Sequence, residues 1–164
     1  MKSVAAIPSK IYSLDSLVTE VSRWRLKNKS IVFTNGVFDI LHQGHISSLS
    51  EAASHGDILI IAVNSDASVR RLKGPERPVN DQQSRSLLLA SLLMSDAIVV
   101  FDEDTPLNVI QKLMPDVLVK GGDYTVEQIA GAKEVLENGG KVFLANIVDG
   151  ISTTGIIEKM RGKK

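Results

Sequence analysis

The sequence has no cysteine and no excess of charge of either sign: 19 Lys plus Arg are balanced by 19 Asp plus Glu across 164 residues. The first absence excludes disulfides, cysteine-type zinc sites and a thiol nucleophile. The second argues against broad electrostatic attachment to nucleic acid or to an anionic membrane, so neither is expected as a partner. No stretch reaches the roughly 18 apolar residues of a membrane span, and Met1 to Pro8 lacks the apolar core of a secretion signal, so a cytoplasmic location is expected. No Gly-x-Gly-x-x-Gly follows an apolar run and no Gly-x4-Gly-Lys-Ser/Thr occurs, so dinucleotide oxidoreductases and P-loop enzymes lack their fingerprints. Repeats, low-complexity tracts and linkers are missing too. What is present is the composition of an ordinary globular chain, 43% hydrophobic and 23% charged, long enough to bury a core.

Helix-like and strand-like segments alternate. Behind Ser13, a natural N-cap, Leu14, Leu17, Val18, Val21 and Trp24 recur at helical spacing. Five short apolar runs then read as strands: Ile31–Phe33, Ile58–Val63, Ala97–Phe101, Val117–Val119 and Val142–Leu144. The unbroken run Ile58–Val63 is that of a strand covered on both faces. Between the strands, helices are predicted from near His45 to Gly56, over Gln82–Leu93, from Pro106 with Thr105 as its cap, over Val126–Asn138, and at the end over Ser152–Met160. This alternation predicts an α/β fold, a Rossmann-like, doubly wound parallel sheet of five strands over 30–164, preceded by a helical extension over 1–29. Ligands of such sheets bind beyond the carboxyl ends of the strands. The segments there are Thr34–His45, Asn64–Asn80, Lys120–Tyr124 and Ile147–Thr154, and they hold nearly all the unusual residues.

In the first segment, Thr34-Asn35-Gly36-Val37-Phe38-Asp39-Ile40-Leu41-His42-Gln43-Gly44-His45, Gly36 and Gly44 allow close approach of backbone to a ligand. A helix beginning near His45 offers its N–H groups to an anion. Two imidazoles beside that anion site can donate hydrogen bonds to phosphate oxygens and stabilise charge that develops at phosphorus. A metal site built from Asp39, His42 and His45 is the sharper rival, but Gly44 interrupts any continuous helix that would align them, and phosphate binding is the stronger reading. His55, the third histidine, reads as a solvated helix end beside Gly56.

His42-Gln43-Gly44-His45 after a strand resembles the HxGH signature of the nucleotidyltransferase superfamily, which includes cytidylyltransferases, pantetheine-phosphate adenylyltransferases and class I aminoacyl-tRNA synthetases. The longer string from Thr34 is similar to the adenylyltransferase half of bifunctional heptose 1-phosphate kinase/adenylyltransferases. The resemblance continues through Ala62–Asp66, Arg71–Gly74, Arg77–Asn80, Leu118–Tyr124 and Ser152–Thr154. It implies adenylyl transfer from ATP to a sugar 1-phosphate, with Mg²⁺ carried by the nucleotide, and allows a homodimer; the alternatives are a glycerol-3-phosphate cytidylyltransferase, an FAD synthetase-like adenylyltransferase and a non-catalytic nucleotide-binding regulatory module. It also implies an upstream sugar kinase, expected on a separate chain because only Met1 to Lys29 precede the first strand. His42, His45 and Lys73 are the catalytic candidates. Thr34, Asn35, Gly36, Phe38, Asp39, Asn64, Asp66, Lys120, Gly122, Asp123, Ser152, Thr153 and Thr154 are the candidates for substrate contact, and no metal ligand is assigned.

Each later segment also has a plain reading. Arg70, Arg71, Lys73 and Arg77, around Gly74, Pro75 and Pro78, suit a clamp on phosphate or a solvated basic loop. Lys120–Tyr124 suits a base or ribose site, or a turn that needs glycine. Ser152 and Thr153 are natural N-caps, yet Ile151–Thr154 resembles the triphosphate-binding Ile-Ser-Thr-Thr of glycerol-3-phosphate cytidylyltransferases and heptose adenylyltransferases. The cytidylyltransferases usually carry Arg ahead of that motif, where this chain has Ile147-Val148-Asp149, which favours ATP over CTP.

Overall fold

The computed structural model describes residues 4–122, 124–146 and 150–162. Asp123 and Ile147–Asp149 therefore lie outside the described residues. The elements in chain order are β1 (Ile11–Tyr12), α1 (Leu14–Leu26), β2 (Ile31–Gly36), α2 (Gln43–Ala53), β3 (Ile58–Asn64), α3 (Asp66–Lys73), α4 (Gln82–Ala90), β4 (Ala97–Phe101), α5 (Leu107–Leu113), β5 (Val117–Gly121), α6 (Ala132–Glu137), β6 (Lys141–Ala145) and α7 (Thr153–Met160). Short 3₁₀ turns cover Val4–Ala6, Pro8–Lys10 and Val126–Gln128.

All strand pairs are parallel, in the order β1-β4-β3-β2-β5-β6. Among the described residues the sheet thus has six strands where the sequence pattern predicts five; the sixth, β1, is two residues long and its partners are Ile98 and Val99. So short a strand leaves no periodicity to read. Successive residues of each strand feed opposite faces. Ile31, Phe33, Ile60, Ala62 and Val99 pack with Leu17 and Val21 of α1 and with Ile110 and Leu113 of α5. Val32, Leu59, Ile61, Val63 and Ile98 pack with Leu49 and Ala52 of α2 and Leu89 of α4 on the other face. Both layers are buried, which is why the central strands read as continuous apolar runs.

Several helices differ from their expected form. The α3 helix has no counterpart in the sequence reading, because among its apolar residues only Val69 is buried while Leu72 is exposed. Local signals define it instead: the Ser65 hydroxyl accepts from the Ser68 amide at 3.0 Å, and Gly74 ends it at φ +95°. The helix expected over Val126–Asn138 is split into a 3₁₀ turn and α6 by Gly131 at φ +85°. Thr105 does not cap α5; Pro106 occupies the N-cap position without a side-chain bond. The helix expected to reach Leu93 ends at Ala90.

Candidate active site

After β2 the chain adds β3 and β4 on one side, then returns to place β5 and β6 on the other. The loops leaving β2 and β5 therefore diverge, and a crevice opens at the carboxyl ends of these neighbouring strands. Asn35 and Gly36 end β2, Lys120 and Gly121 end β5, and Asn64 ends β3.

The helix after β2 starts two residues earlier than its sequence suggests, at Gln43, with His42 at the N-cap. His45 is then the third helical residue, one turn along on the same side. The two rings stack with centroids 3.9 Å apart and planes 25° from parallel. A Cβ on Gly44 would sit 3.1 Å from the His42 ring, so glycine is what lets that ring fold over the helix start. Phe38 closes the other side, its ring edge-on to His45 at 5.4 Å and its backbone at φ +50°. His45 Nδ1 accepts a bond from the His42 amide at 3.4 Å. In a neutral ring that leaves Nε2 as the protonated nitrogen. Burial, followed by the neighbouring His42, pulls the His45 pKa down to about 4. His42 is lowered too, by burial, and its own Nδ1 is buried without a partner among the described residues. Both imidazoles are thus neutral at pH 7, with hydrogen-bonding capacity left for a ligand.

Two clefts meet at this edge. One, of about 300 Å³, is lined by Thr34, Phe38, His42, Gly44, His45 and Gly122. The other, of about 400 Å³, is lined by Asn64, Leu72, Lys73, Asp104, Thr105 and Gln128. Asn35, Gly36, Val37, Lys120 and Tyr124 belong to both and form a common floor. The Lys120 ammonium donates to the Asn35 carbonyl at 3.3 Å and to its side-chain oxygen at 3.2 Å. The wall from Asp104 to Pro106 and the residues near Gln128 went unread in the sequence, because they look like an ordinary helix start and helix body.

Other expected contacts lie elsewhere. The Asp39 carboxylate is buried and turned onto the loop after α3, where it accepts from Arg77 Nε at 2.6 Å, Val79 N at 2.8 Å and Asn80 N at 2.9 Å. Burial would raise its pKa, but the amide bonds from Asn80 and Val79 and the Arg77 guanidinium outweigh it and hold the carboxyl below its ordinary range. Asp66 is bound to Arg85 at 2.7 Å. Arg85 is wholly buried and also donates to the Val37 carbonyl at 2.7 Å and the Asn80 carbonyl at 3.0 Å. Asp39, expected as a substrate contact, thus braces the histidine loop against the loop following Lys73, and Asp66, expected likewise, anchors the Arg85 guanidinium that spans the same two segments. An arginine within an amphipathic helix gives no sequence sign of such a role, and Arg85 was missed.

The metal grouping of Asp39, His42 and His45 does not form, and among the described residues no three His, Asp or Glu side chains converge. His55 is not a free helix end: it stacks on Phe143 at 4.0 Å. Ser152 caps α7, its hydroxyl accepting from Gly155 N at 3.0 Å, and lies outside both clefts. Thr153 faces the histidine loop, its hydroxyl 3.5 Å from the Ile40 carbonyl, and Thr154 lines a separate groove with Lys73 and Arg77. Among the described residues no helix is long and apolar enough to cross a membrane.

Known proteins are similar to this chain. The family model described as cytidylyltransferase-like matches residues 33–159. The bifunctional protein HldE of Mesorhizobium japonicum is 54% identical over 92% of the chain, and that of Cronobacter sakazakii is 57% identical over 84%. The chain spans only about 30% of the length of these relatives. A lipopolysaccharide core biosynthesis protein from Thermoplasma volcanium superposes with a TM-score of 0.62 at 29% identity, covering 74% of this chain and 99% of its own. Pantoate-beta-alanine ligase from Francisella tularensis, at 16% identity and a TM-score of 0.59 over 92% of this chain and 76% of its own, shares the fold. With the histidine signature at the switch point of a parallel sheet and a family match across most of its length, the chain belongs to the cytidylyltransferase-like family of nucleotidyltransferases.

Proposed function

We propose that the chain transfers the adenylyl group of ATP to D-glycero-β-D-manno-heptose 1-phosphate, giving ADP-heptose and pyrophosphate for surface glycans such as the lipopolysaccharide core. The observation that carries this is the pair of clefts with a common floor, which suits two phosphorylated substrates that must meet. In this reading the nucleotide occupies the histidine cleft, and the sugar phosphate occupies the cleft with Lys73 and Asn64. Support for the sugar comes from the similarity to the HldE proteins and to the Thermoplasma protein.

A phosphate oxygen of the sugar attacks the α-phosphorus in line, and the bond from that phosphorus to the β-phosphate oxygen breaks. The attacking group is already anionic, so no base is required. His42 and His45, neutral and stacked, donate to the phosphate oxygens on which negative charge grows, at the start of α2 where the helix dipole favours an anion. Neither the stacked histidines nor the cleft needs a covalent intermediate. Mg²⁺ would supply charge neutralisation on the triphosphate. Such an ion is usually held chiefly by substrate phosphates and water, with few protein ligands.

The test is pyrophosphate release from the purified protein in a matrix of ATP or CTP against heptose 1-phosphate, glucose 1-phosphate and glycerol 3-phosphate. Turnover confined to ATP with heptose 1-phosphate is expected. Turnover with CTP and glycerol 3-phosphate instead would overturn the assignment.

A further inference from the structure

Lys120 stands out among the floor residues because it brings a full positive charge to the line along which the two clefts join. Its stem rises from the end of β5, and the carbonyl and side chain of Asn35 on neighbouring β2 hold the ammonium across the strand gap at 3.3 and 3.2 Å. The Tyr124 ring packs with its centroid 5.6 Å from the ammonium. Asn35 offers dipoles and no charge, so the cation is fixed in place without being neutralised by these contacts. Burial, and after it the neighbouring charge of Lys73, lower the pKa of this ammonium from the usual lysine range. A cation held in this way gains more from an arriving anion than a solvated one does.

We propose that the Lys120 ammonium is shared by both substrates, touching a non-bridging oxygen of the nucleotide α-phosphate on one side and the attacking phosphate on the other. The inference rests on the assignment of the two clefts given above. Its chemical basis is that both reactants are anions, and their mutual repulsion opposes the approach that the new oxygen–phosphorus bond requires. A single cation between them offsets that repulsion for both at once. The lysine keeps its proton throughout: the electron pair of the breaking bond leaves with pyrophosphate, and the attacking oxygen supplies the pair for the new one. Lys73, in contrast, lines the second cleft and a groove beside α7 and is not part of the histidine cleft, so in this assignment it faces the sugar phosphate.

The experiment measures coupling between ligands in the full chain. The probe is α,β-methylene-ATP, which cannot transfer its adenylyl group, titrated with and without saturating inorganic phosphate and, separately, heptose 1-phosphate. In the wild type the second anion should change the analogue's Kd by no more than about threefold, whereas in Lys120→Met it should weaken it by about tenfold or more. In the same variant kcat should fall by roughly 10²–10³. Lys120→Gln should behave alike, and unchanged melting temperatures confirm that both are folded. Coupling in the variants equal to the wild type's, or loss of affinity for one ligand with kcat intact, overturns the shared contact. A wild type that releases no pyrophosphate with heptose 1-phosphate, yet differs from Lys120→Met in coupling with inorganic phosphate, overturns the sugar assignment and leaves the shared contact standing.

Discussion

Replacing Asp39 by Asn keeps the shape of the side chain and removes its charge and half of its acceptor capacity. The carboxylate oxygens of Asp39 receive Arg77 Nε, the Asn80 amide and the Val79 amide, which lies 2.8 and 2.9 Å from the two oxygens. An Asn oxygen can take at most two of these donors, and its NH₂ group would face the remainder donor to donor. One stranded amide costs about 1–3 kcal/mol, and breaking a buried ion pair about 3–5 kcal/mol. Arg77 keeps 17% of its side-chain surface in water, which recovers part of the second loss, so a total near the lower end of the sum, about 4 kcal/mol, is expected. For a chain of this length that corresponds to a fall in Tm of roughly 8–16 °C. The histidine loop hangs from the same brace, so kcat at saturating ATP should fall by roughly 10–100-fold as the imidazoles lose their alignment. The sign of the pH dependence follows from the lowered Asp39 pKa: its stabilisation is full above the ordinary carboxylate range and is lost as pH falls through the folded-state value. The gap between wild type and Asp39→Asn in urea unfolding should therefore be constant near neutrality and close in acid. An Asp39→Asn protein with the wild-type urea midpoint and weakened ATP binding would refute the brace and return Asp39 to the ligand.

Further outcomes are expected. Ala at His42 or His45 should each cut kcat by roughly 10²–10³ while weakening ATP binding far less, and a folded variant with wild-type turnover would remove them from the chemistry. The His45 imidazole, watched by NMR, should stay neutral with its proton on Nε2 from pH 7 down to pH 5 and titrate near its lowered pKa of about 4; a midpoint near 6.5 contradicts its burial. Because that pKa lies below the unfolded value, His45 supports the fold fully above about pH 6.5 and progressively less as pH falls toward 4. Ser152→Ala should cost about 1 kcal/mol of stability and leave ATP affinity alone, since the hydroxyl caps α7 outside both clefts. Thr153, also outside the clefts but with its hydroxyl turned to the histidine loop 3.5 Å from the Ile40 carbonyl, is expected instead to weaken ATP and spare AMP when replaced by Ala, and equal weakening of the two nucleotides would count against a triphosphate contact.

The alternation of apolar runs and helical periods was enough to read the parallel sheet, because strands covered on both faces must be apolar throughout and crossovers between them must be long. The motif residues were legible for a related reason. Histidines and a lysine placed just past the strand ends have no structural use that commoner residues would not serve. Local signals also located the starts of α1 behind Ser13, α4 at Gln82 and α7 behind Ser152. They failed for α3, whose buried face is little more than Val69, and for the segment that Gly131 breaks, where helical periodicity continues across the interruption. The division of labour among the charged residues was decided only by tertiary structure. Asp39 and Asp66 sit in or beside the motifs, as ligand contacts would, yet their partners Arg77, Asn80 and Arg85 are distant in sequence and reach them only when α3 and α4 fold back over the sheet. The same holds for Lys120 and Asn35, 85 residues apart, which become neighbours because β5 pairs with β2. Sequence spacing reports what one element can present, whereas which charges meet, and which are left for a substrate, depends on the order of strands in the sheet.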